Sequence, residues 1–168
     1  MKTHNLKTEI WLPQKRTTVF NFFADPRNLE ELTPRWLHFK ILTPLPLPMK
    51  PGVLIDYRLR LYGIPLHWQS KITAWEPPSR FVDTQTRGPY SSWIHEHTFA
   101  ELGGGTVVGD TVVYAVPGGR IVNQLLVAPD LERIFRYRHE VLENRFNPRR
   151  LQPSPTGDMT TVCSDSSG

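Results

Sequence analysis

Apolar and polar residues alternate most clearly over residues 93–114, in the segment WIHEHTFAELGGGTVVGDTVVY. A period of two is typical of a β-strand with one buried face, and the glycine run in the middle is typical of a tight turn. The segment therefore predicts an antiparallel hairpin. A turn centred on Gly103 and Gly104 places His97 opposite Asp110, so that an imidazole faces a carboxylate.

One face of this hairpin combines aromatic, aliphatic and ionisable side chains. It carries Trp93, His95, His97 and Phe99 on the first strand and Val108, Asp110, Val112 and Tyr114 on the second. Apolar walls with a few polar groups are typical of ligand sites. The hairpin is therefore a better candidate for a pocket wall than for a plain core.

A second hairpin is predicted over residues 53–61 and 64–75, where one face is apolar and the other is charged. Its register gives two cross-strand pairs on the buried side, Tyr57 with Trp68 and Leu59 with Leu66. Further strands are predicted at residues 3–12, 38–42 and 81–86. The chain thus supplies about seven strands that short antiparallel turns can join.

Two short helices are predicted after the first strand, and the second of them begins at Asp25 and Pro26. Helical spacing of apolar residues returns over residues 121–142, with a pause at residues 128–130 where Asp130 favours a helix start. The predicted domain covers residues 1–148. Residues 149–168 are polar without periodicity, which predicts a flexible tail.

The composition is that of one ordinary globular domain. The 168 residues are 39% hydrophobic and 21% charged, with a formal net charge of +4. No apolar run is long enough to span a bilayer and the N-terminal segment has no apolar signal core, so a cytoplasmic protein without integral membrane association is predicted. The single cysteine, Cys163, lies in the polar tail and excludes an internal disulfide.

The basic residues do not predict a nucleic-acid partner. Most are scattered along the chain, and the arginines near the C-terminus, Arg138 among them, alternate with glutamates at positions 132, 140 and 143. Alternating charges of this kind are typical of a solvated helix face.

The run GPYSSWIHEHTF at residues 88–99 and the segment DLERIFRYR at residues 130–138 carry a family resemblance. Together with the order of strand, two short helices, further antiparallel strands and one long helix, they resemble the START / polyketide-cyclase-like helix-grip superfamily, often called SRPBCC. Within it, the chain is most similar to a bacterial group of uncharacterised ligand-binding domains that are sometimes fused to sugar-nucleotide epimerase-like domains. The resemblance covers residues 1 to about 147.

The resemblance implies an α+β fold in which a curved antiparallel sheet of about seven strands wraps around a long C-terminal helix. It also implies a hydrophobic cavity between the sheet and that helix. The residues expected to line the cavity are Tyr57, Leu59, Trp68, Gln85, Trp93, His95, His97, Phe99, Asp110, Val112 and Phe135.

Two functions of different classes follow as hypotheses. The first is binding or transport of a small hydrophobic ligand of the lipid, quinone or polyketide/aromatic type. The alternative is a cofactor-independent cyclase, dehydratase or isomerase, in which Asp110 fixes the tautomer of His97 and leaves its other ring nitrogen for the ligand. The same pair is also explained as a satisfied polar contact in a core, because a buried aspartate needs a partner in any case.

No cofactor is predicted, because the chain contains no phosphate loop, dinucleotide fingerprint or HExxH motif. His95 and His97 occupy alternate strand positions and can both bind a metal. The third ligand would have to be Asp110 or a distant His67 on the opposite face, so no metal site is predicted. The expected partner is a small hydrophobic molecule, and the fusion habit of the similar group implies an epimerase-like oxidoreductase as a protein partner.

Overall fold

The computed structural model describes residues 2–147, which form a seven-stranded antiparallel sheet and a set of helices. The strands are β1 His4–Leu12, β2 Lys40–Ile41, β3 Leu54–Leu61, β4 Ile64–Glu76, β5 Arg80–Arg87, β6 Ser92–Leu102 and β7 Gly105–Ala115. Their order across the sheet is β1-β7-β6-β5-β4-β3-β2. Each strand from β2 to β6 thus pairs with the strand that follows it in the sequence, and β1 pairs with β7.

Two short helices follow β1, as predicted: α1 Arg16–Ala24 and α2 Leu29–Leu32. Asp25 caps the turn between them, because its carboxylate accepts a hydrogen bond from the backbone N–H of Arg27 at 3.0 Å. Pro26 occupies the first position of that turn, where its missing N–H costs no hydrogen bond.

The hairpin of β6 and β7 has the predicted register, with His97 opposite Asp110. The strands join through a two-residue turn at Gly103 and Gly104, whose φ values are 57° and 78°. A type I′ turn requires left-handed values at both positions, and glycine adopts them without steric cost. The turn therefore fixes which residues of the two strands share a face.

The pairing of β4 with β5 is interrupted by two register shifts, one between Gln69 and Ser70 and one between Ile72 and Ala74. Such β-bulges bend a strand and increase its twist. The β3–β4 hairpin beside them is regular and keeps the predicted pairs. The bulges therefore curve the middle of the sheet around the space that the C-terminal helix covers.

The C-terminal helix is continuous, so the predicted pause at residues 128–130 is wrong. It consists of α3 Gly119–Val122, a π-helical turn Asn123–Val127 and α4 Ala128–Phe146. In a regular helix the ring of Pro129 would collide with the carbonyl four residues earlier, and its missing N–H would leave that carbonyl unbonded. The wider π turn just before Pro129 accommodates both effects.

The second strand is shorter than predicted. Residues 38–42 are expected to be extended, but β2 contains only Lys40–Ile41. His38 has a left-handed φ of 45°, which ends the preceding turn and delays the start of the strand. Pro44 and Pro46 follow closely and cannot donate hydrogen bonds to a neighbouring strand.

The hydrophobic core formed by residues 2–147 has two clusters, and α4 contributes to both. Leu142 and Phe146 pack with the phenylalanines of α1, whereas Leu131 and Phe135 pack with the tryptophans of β4 and β6. This is the predicted α+β helix-grip arrangement, in which the helix lies against the curved sheet. The predicted tail at residues 149–168 lies outside the described residues, and no helix within residues 2–147 is long and apolar enough to cross a membrane.

Leu142→Ala is expected to destabilise the protein by ~2–5 kcal/mol, because removal of a fully buried leucine side chain leaves a cavity. Leu142 is 0% exposed in the cluster that joins α4 to α1 and the sheet. Leu125→Ala is the control, since Leu125 lies on the same continuous helix but is 72% exposed. Chemical denaturation of both variants measures the two losses, and equal losses would contradict this orientation of the helix.

Candidate ligand-binding site

A cavity of about 190 Å³ lies between the sheet and the C-terminal helix. Strands β3 to β6 form one wall, α4 forms another, and residues of α1 and α2 close the remaining side. Most of the side chains on these walls are apolar. The largest apolar side chains are Trp68 from β4, Trp93 from β6 and Phe135 from α4. The cavity that the resemblance implies is therefore present.

Seven of the residues predicted to line the cavity do so: Tyr57, Leu59, Trp68, Trp93, His95, His97 and Phe135. The other four lie outside its lining. Phe99 and Val112 are packed in the core with 2% and 0% exposure. Gln85 instead donates its side-chain amide to the backbone carbonyl of Tyr90 at 2.8 Å, and Asp110 lies behind the two histidines.

Asp110 on β7 is the most deeply buried charged group of the site, with 1% of its side chain exposed. Its Oδ1 accepts a hydrogen bond from Nε2 of His95 at 2.8 Å. Nδ1 of His97 lies 2.9 Å from the same oxygen, but its direction is poor for a hydrogen bond. The predicted pairing of His97 with Asp110 is thus a close contact, whereas the well-directed hydrogen bond comes from His95.

Asp83 on β5 is a site residue that sequence reasoning missed. Its Oδ2 lies 3.2 Å from Nε2 of His97 and 3.7 Å from Nδ1 of His95. The second ring nitrogen of His97 is therefore bonded to Asp83, and the prediction that it is free for a ligand is wrong. Alternation along β5 was an available signal, because Asp83 shares a strand face with Gln85.

A chain of hydrogen bonds holds Asp83 from its other side. Ser70 donates its hydroxyl to Oδ1 of Asp83 at 3.1 Å, and Nε1 of Trp68 donates to the Ser70 oxygen at 3.1 Å. The hydroxyl of Tyr57 lies 2.8 Å from the same oxygen. Since the single proton of Ser70 goes to Asp83, Tyr57 donates to Ser70. Strands β3 and β4 thus fix the orientation of a carboxylate on β5.

Arg138 on α4 completes the polar cluster and was also missed. Its Nε lies 3.7 Å from Oδ2 of Asp110, and only 10% of its side chain is exposed. It contributes to the cavity wall, yet Nε and Nη2 have no hydrogen-bond acceptor within residues 2–147. Its spacing of three residues from Phe135 and seven from Leu131 was the available signal, because residues one or two helical turns apart share a helix face.

Burial and charge shift the pKa values of the two histidines in opposite directions. Burial and the neighbouring His97 hold the pKa of His95 below the ordinary value of 6.5. Burial acts to lower the pKa of His97 as well, but Asp110 and Asp83 outweigh it and raise that pKa.

The two aspartates remain ionised in spite of their burial. Burial acts to raise the pKa of Asp110, but the charge of Arg138 and the contacts with both histidines hold it well below 3.8. Burial acts in the same way on Asp83, whose pKa is lowered chiefly by the hydrogen bond from His97 and the charges of both histidines. At neutral pH the cluster therefore contains two carboxylates beside a neutral His95.

His67 lies on the opposite face of the sheet, as its register predicts. Its Nε2 is 2.8 Å from Oδ1 of Asp56, and the two side chains are 36% and 32% exposed. Neither residue lines the cavity. The protein thus contains a second histidine–aspartate pair that provides an internal comparison for the buried cluster.

The chain matches the model of the polyketide cyclase / dehydrase and lipid transport family over residues 12–136. The chain belongs to this family. Its membership confirms the resemblance to the SRPBCC superfamily that the sequence carries. No curated protein has a sequence that matches the chain.

Several solved structures have the same fold as this protein, although their sequence identity to it is low. Zhui aromatase/cyclase from a Streptomyces species has a TM-score of 0.69 at 12% identity, over 89% of this chain and 96% of that chain. Protein CV1439 from Chromobacterium violaceum has a TM-score of 0.68 at 17% identity, over 86% and 99% of the two chains. Major latex-like protein 151 from Panax ginseng has a TM-score of 0.63 at 12% identity, over 87% and 99%. At these identities the likeness concerns the fold alone.

Nuclear magnetic resonance titration of the ring protons is expected to separate the two buried histidines. His97 should titrate above 6.5 and His95 below it, following the directions of their pKa shifts. Because the folded state raises the pKa of His97, the stabilisation from its protonated form is present below 6.5 and is lost as the pH rises through the raised pKa.

Asp83→Asn removes one of the two carboxylates beside His97 and should move the titration of His97 to lower pH. A higher titration midpoint for His95 than for His97, or no effect of Asp83→Asn on His97, would contradict the described hydrogen bonding.

Proposed function

We propose that the protein binds a small, largely apolar molecule with one polar end in the cavity between the sheet and α4. The observation that carries this proposal is an apolar cavity with a buried guanidinium on its wall. Two nitrogens of Arg138 lack an acceptor within the described part of the chain, and a buried cationic donor without an acceptor is costly. A ligand oxygen in the cavity would offer this guanidinium an acceptor.

The volume of the cavity favours a ligand of about one or two aromatic rings. The value of about 190 Å³ exceeds that of an engineered cavity of ~150 Å³ that admits benzene. Trp68 and Trp93 stand edge to face on the wall with ring centroids 5.4 Å apart, and aromatic ligands pack well in such arrangements. Among the lipid, quinone and polyketide/aromatic classes, these features favour an aromatic compound over a long acyl chain.

The polar end of the ligand is expected to carry a carbonyl or carboxylate oxygen. The planar guanidinium of Arg138 offers N–H donors in the geometry that suits such oxygens. Asp110 attracts the guanidinium without saturating it, because their closest distance is 3.7 Å. Arg138 is therefore held near the cavity while retaining donors for a ligand.

The family and the fold support the proposal in general terms. The family description covers lipid transport as well as polyketide cyclase and dehydrase activities, and one protein with this fold is named an aromatase/cyclase. Lipid transport and polyketide cyclisation both need a cavity that accepts a largely apolar molecule.

A second function, acid–base catalysis by a cofactor-independent cyclase, dehydratase or isomerase, is favoured by the position of His95. This residue lines the cavity, and because its Nε2 donates to Asp110, its Nδ1 carries a lone pair that can accept a proton. Both ring nitrogens of His97 lie within 3.2 Å of an aspartate oxygen, whereas Nδ1 of His95 is 3.7 Å from the nearest one, on Asp83. The candidate base is therefore His95 rather than the His97 that the sequence predicts, and loss of turnover without loss of binding in His95→Phe would distinguish this function from simple binding.

Ligand binding is tested with 2-naphthoate and 2-methylnaphthalene, which share a ring system and differ in the polar group. Both are expected to quench the fluorescence of Trp68 and Trp93. Arg138→Met should weaken binding of 2-naphthoate by roughly 10- to 100-fold, since a hydrogen bond to a charged group contributes about 1.5–3 kcal/mol. Binding of 2-methylnaphthalene should change little.

Arg136→Met is the matched control, because Arg136 is exposed on the same helix. Circular dichroism verifies that each variant is folded. The proposal fails if neither probe binds saturably to the wild-type protein. The role of Arg138 fails if the variant loses both probes to the same extent while it remains folded.

A further inference from the structure

We infer that Asp83, His95 and His97 form a binding site for one divalent transition-metal ion at the cavity wall. One ring nitrogen of each histidine and one oxygen of Asp83 lie within 4.8 Å of one another, and the nitrogens that approach Oδ2 of Asp83 are Nδ1 of His95 and Nε2 of His97. Two imidazoles and one carboxylate are a ligand set typical of Zn²⁺ and non-haem Fe²⁺. The inference goes beyond the proposed binding of an apolar molecule and does not depend on it.

The two distances from Asp83 to the histidine nitrogens are close to those between neighbouring ligands of a single ion. Oδ2 of Asp83 lies 3.2 Å from Nε2 of His97 and 3.7 Å from Nδ1 of His95. Metal–ligand bonds of ~2.1 Å place neighbouring ligands ~3.0–3.4 Å apart in octahedral or tetrahedral coordination. The two distances to Asp83 are within a few tenths of an ångström of this range, and the ring nitrogens of the two histidines lie within 4.8 Å of each other.

A cation also resolves an unfavourable contact within the cluster. Nε2 of His95 donates its proton to Asp110, so a neutral His95 presents a lone pair at Nδ1. That lone pair faces the ionised Oδ2 of Asp83 at 3.7 Å with no proton between them. An ion between the two atoms replaces this repulsion with two coordination bonds.

Asp110 occupies the position of an outer carboxylate behind the two imidazoles. Its Oδ1 lies 2.8 Å from Nε2 of His95 and 2.9 Å from Nδ1 of His97. Histidines that bind metals commonly donate their second ring N–H to a carboxylate, which fixes the tautomer and strengthens the ligand. His95 makes such a hydrogen bond to Asp110 and His97 makes a close contact with it, and the remaining nitrogen of each ring lies near Asp83.

The third ligand is held by hydrogen bonds of its own. Ser70 donates to Oδ1 of Asp83, which leaves Oδ2 directed at both histidines. All three ligands stand on adjacent paired strands, with Asp83 opposite His95 in the register of β5 and β6. A site on rigid strands keeps its geometry better than one on loops. The sequence alone predicts no metal site because it does not identify Asp83 as the third ligand.

The charges and the openness of the site are consistent with a bound ion. Asp83 and Asp110 bring two negative charges, and Arg138 brings one positive charge at 3.7 Å from Asp110. Asp83, His95 and His97 all line the cavity, whereas Asp110 does not. Three protein ligands with an open position toward a cavity are typical of a site that binds water or a ligand, in contrast to a closed structural site.

The inference is tested by metal titration of the full-length, tag-free protein after treatment with a chelator. Cys163→Ser is present throughout, so that the only cysteine of the chain cannot supply a ligand. Co²⁺ and Zn²⁺ are each expected to bind with a stoichiometry of one ion per chain by elemental analysis. Bound Co²⁺ should show visible absorption bands that differ from those of the aqueous ion.

Three variants and one control assign the site. His95→Phe and Asp83→Asn remove ligands and should lower Co²⁺ affinity at least tenfold. Asp110→Asn should lower it by ~10- to 100-fold, as is typical for loss of an outer partner. His67→Phe removes the exposed histidine–aspartate pair and should leave the affinity unchanged.

A second measurement decides the question if a variant does not fold. In the protein that retains all its histidines, Co²⁺ should shift or broaden the ring resonances of His95 and His97 and leave those of His67 unaffected. Absence of stoichiometric binding, or unchanged affinity in folded Asp83→Asn, would overturn the metal site and leave Nδ1 of His95 free to act as a base. Binding of 2-naphthoate to the metal-free protein is measured separately, so a failed metal site and a failed ligand cavity are distinguishable.

Discussion

The architecture of the site depends on the burial of one carboxylate, Asp110, on β7 between β1 and β6. An ionised carboxylate with 1% exposure is stable only when hydrogen bonds and positive charge replace the lost water. His95 and His97 contact it from the adjacent strand, and Arg138 supplies charge from α4. Because Arg138 belongs to the helix, the electrostatic requirement of Asp110 also contributes to the position of the helix over the sheet.

The cavity and the polar cluster follow from the same packing. Apolar residues hold α4 near both ends, Leu142 against α1 and Leu131 in the cluster with the tryptophans of the sheet. Between them the bulged strands curve away and leave about 190 Å³ unfilled. Asp83 faces this space and Asp110 lies behind the two histidines, and both carboxylates need positive charge nearby. The raised pKa of His97 favours a proton on that ring in the metal-free protein. A metal ion would supply the charge in the proposed bound form, so the proton and the metal compete for Nε2 of His97.

Local patterns in the sequence predict the hairpins, their registers and the facing of His97 and Asp110, because alternation and a glycine turn determine them within a few residues. The same reasoning missed Asp83 and Arg138. Contact between β5 and β6 depends on the connection between them, and a charged residue on a helix is usually solvated, so neither residue stands out from its neighbours. Gln85 lies on the predicted face of β5, but near the end of the strand its side chain donates a hydrogen bond to the backbone carbonyl of Tyr90.

The central claim is that the cavity binds a small, largely apolar molecule whose polar end meets Arg138. Native mass spectrometry of the purified protein, followed by organic extraction and mass analysis, tests it most directly. The predicted result is one aromatic compound per chain with a carbonyl or carboxylate group, absent from a Leu59→Trp variant whose larger side chain fills the cavity. A protein that carries no such compound, and takes up none from a supplied mixture of aromatic acids and ketones, would contradict the account.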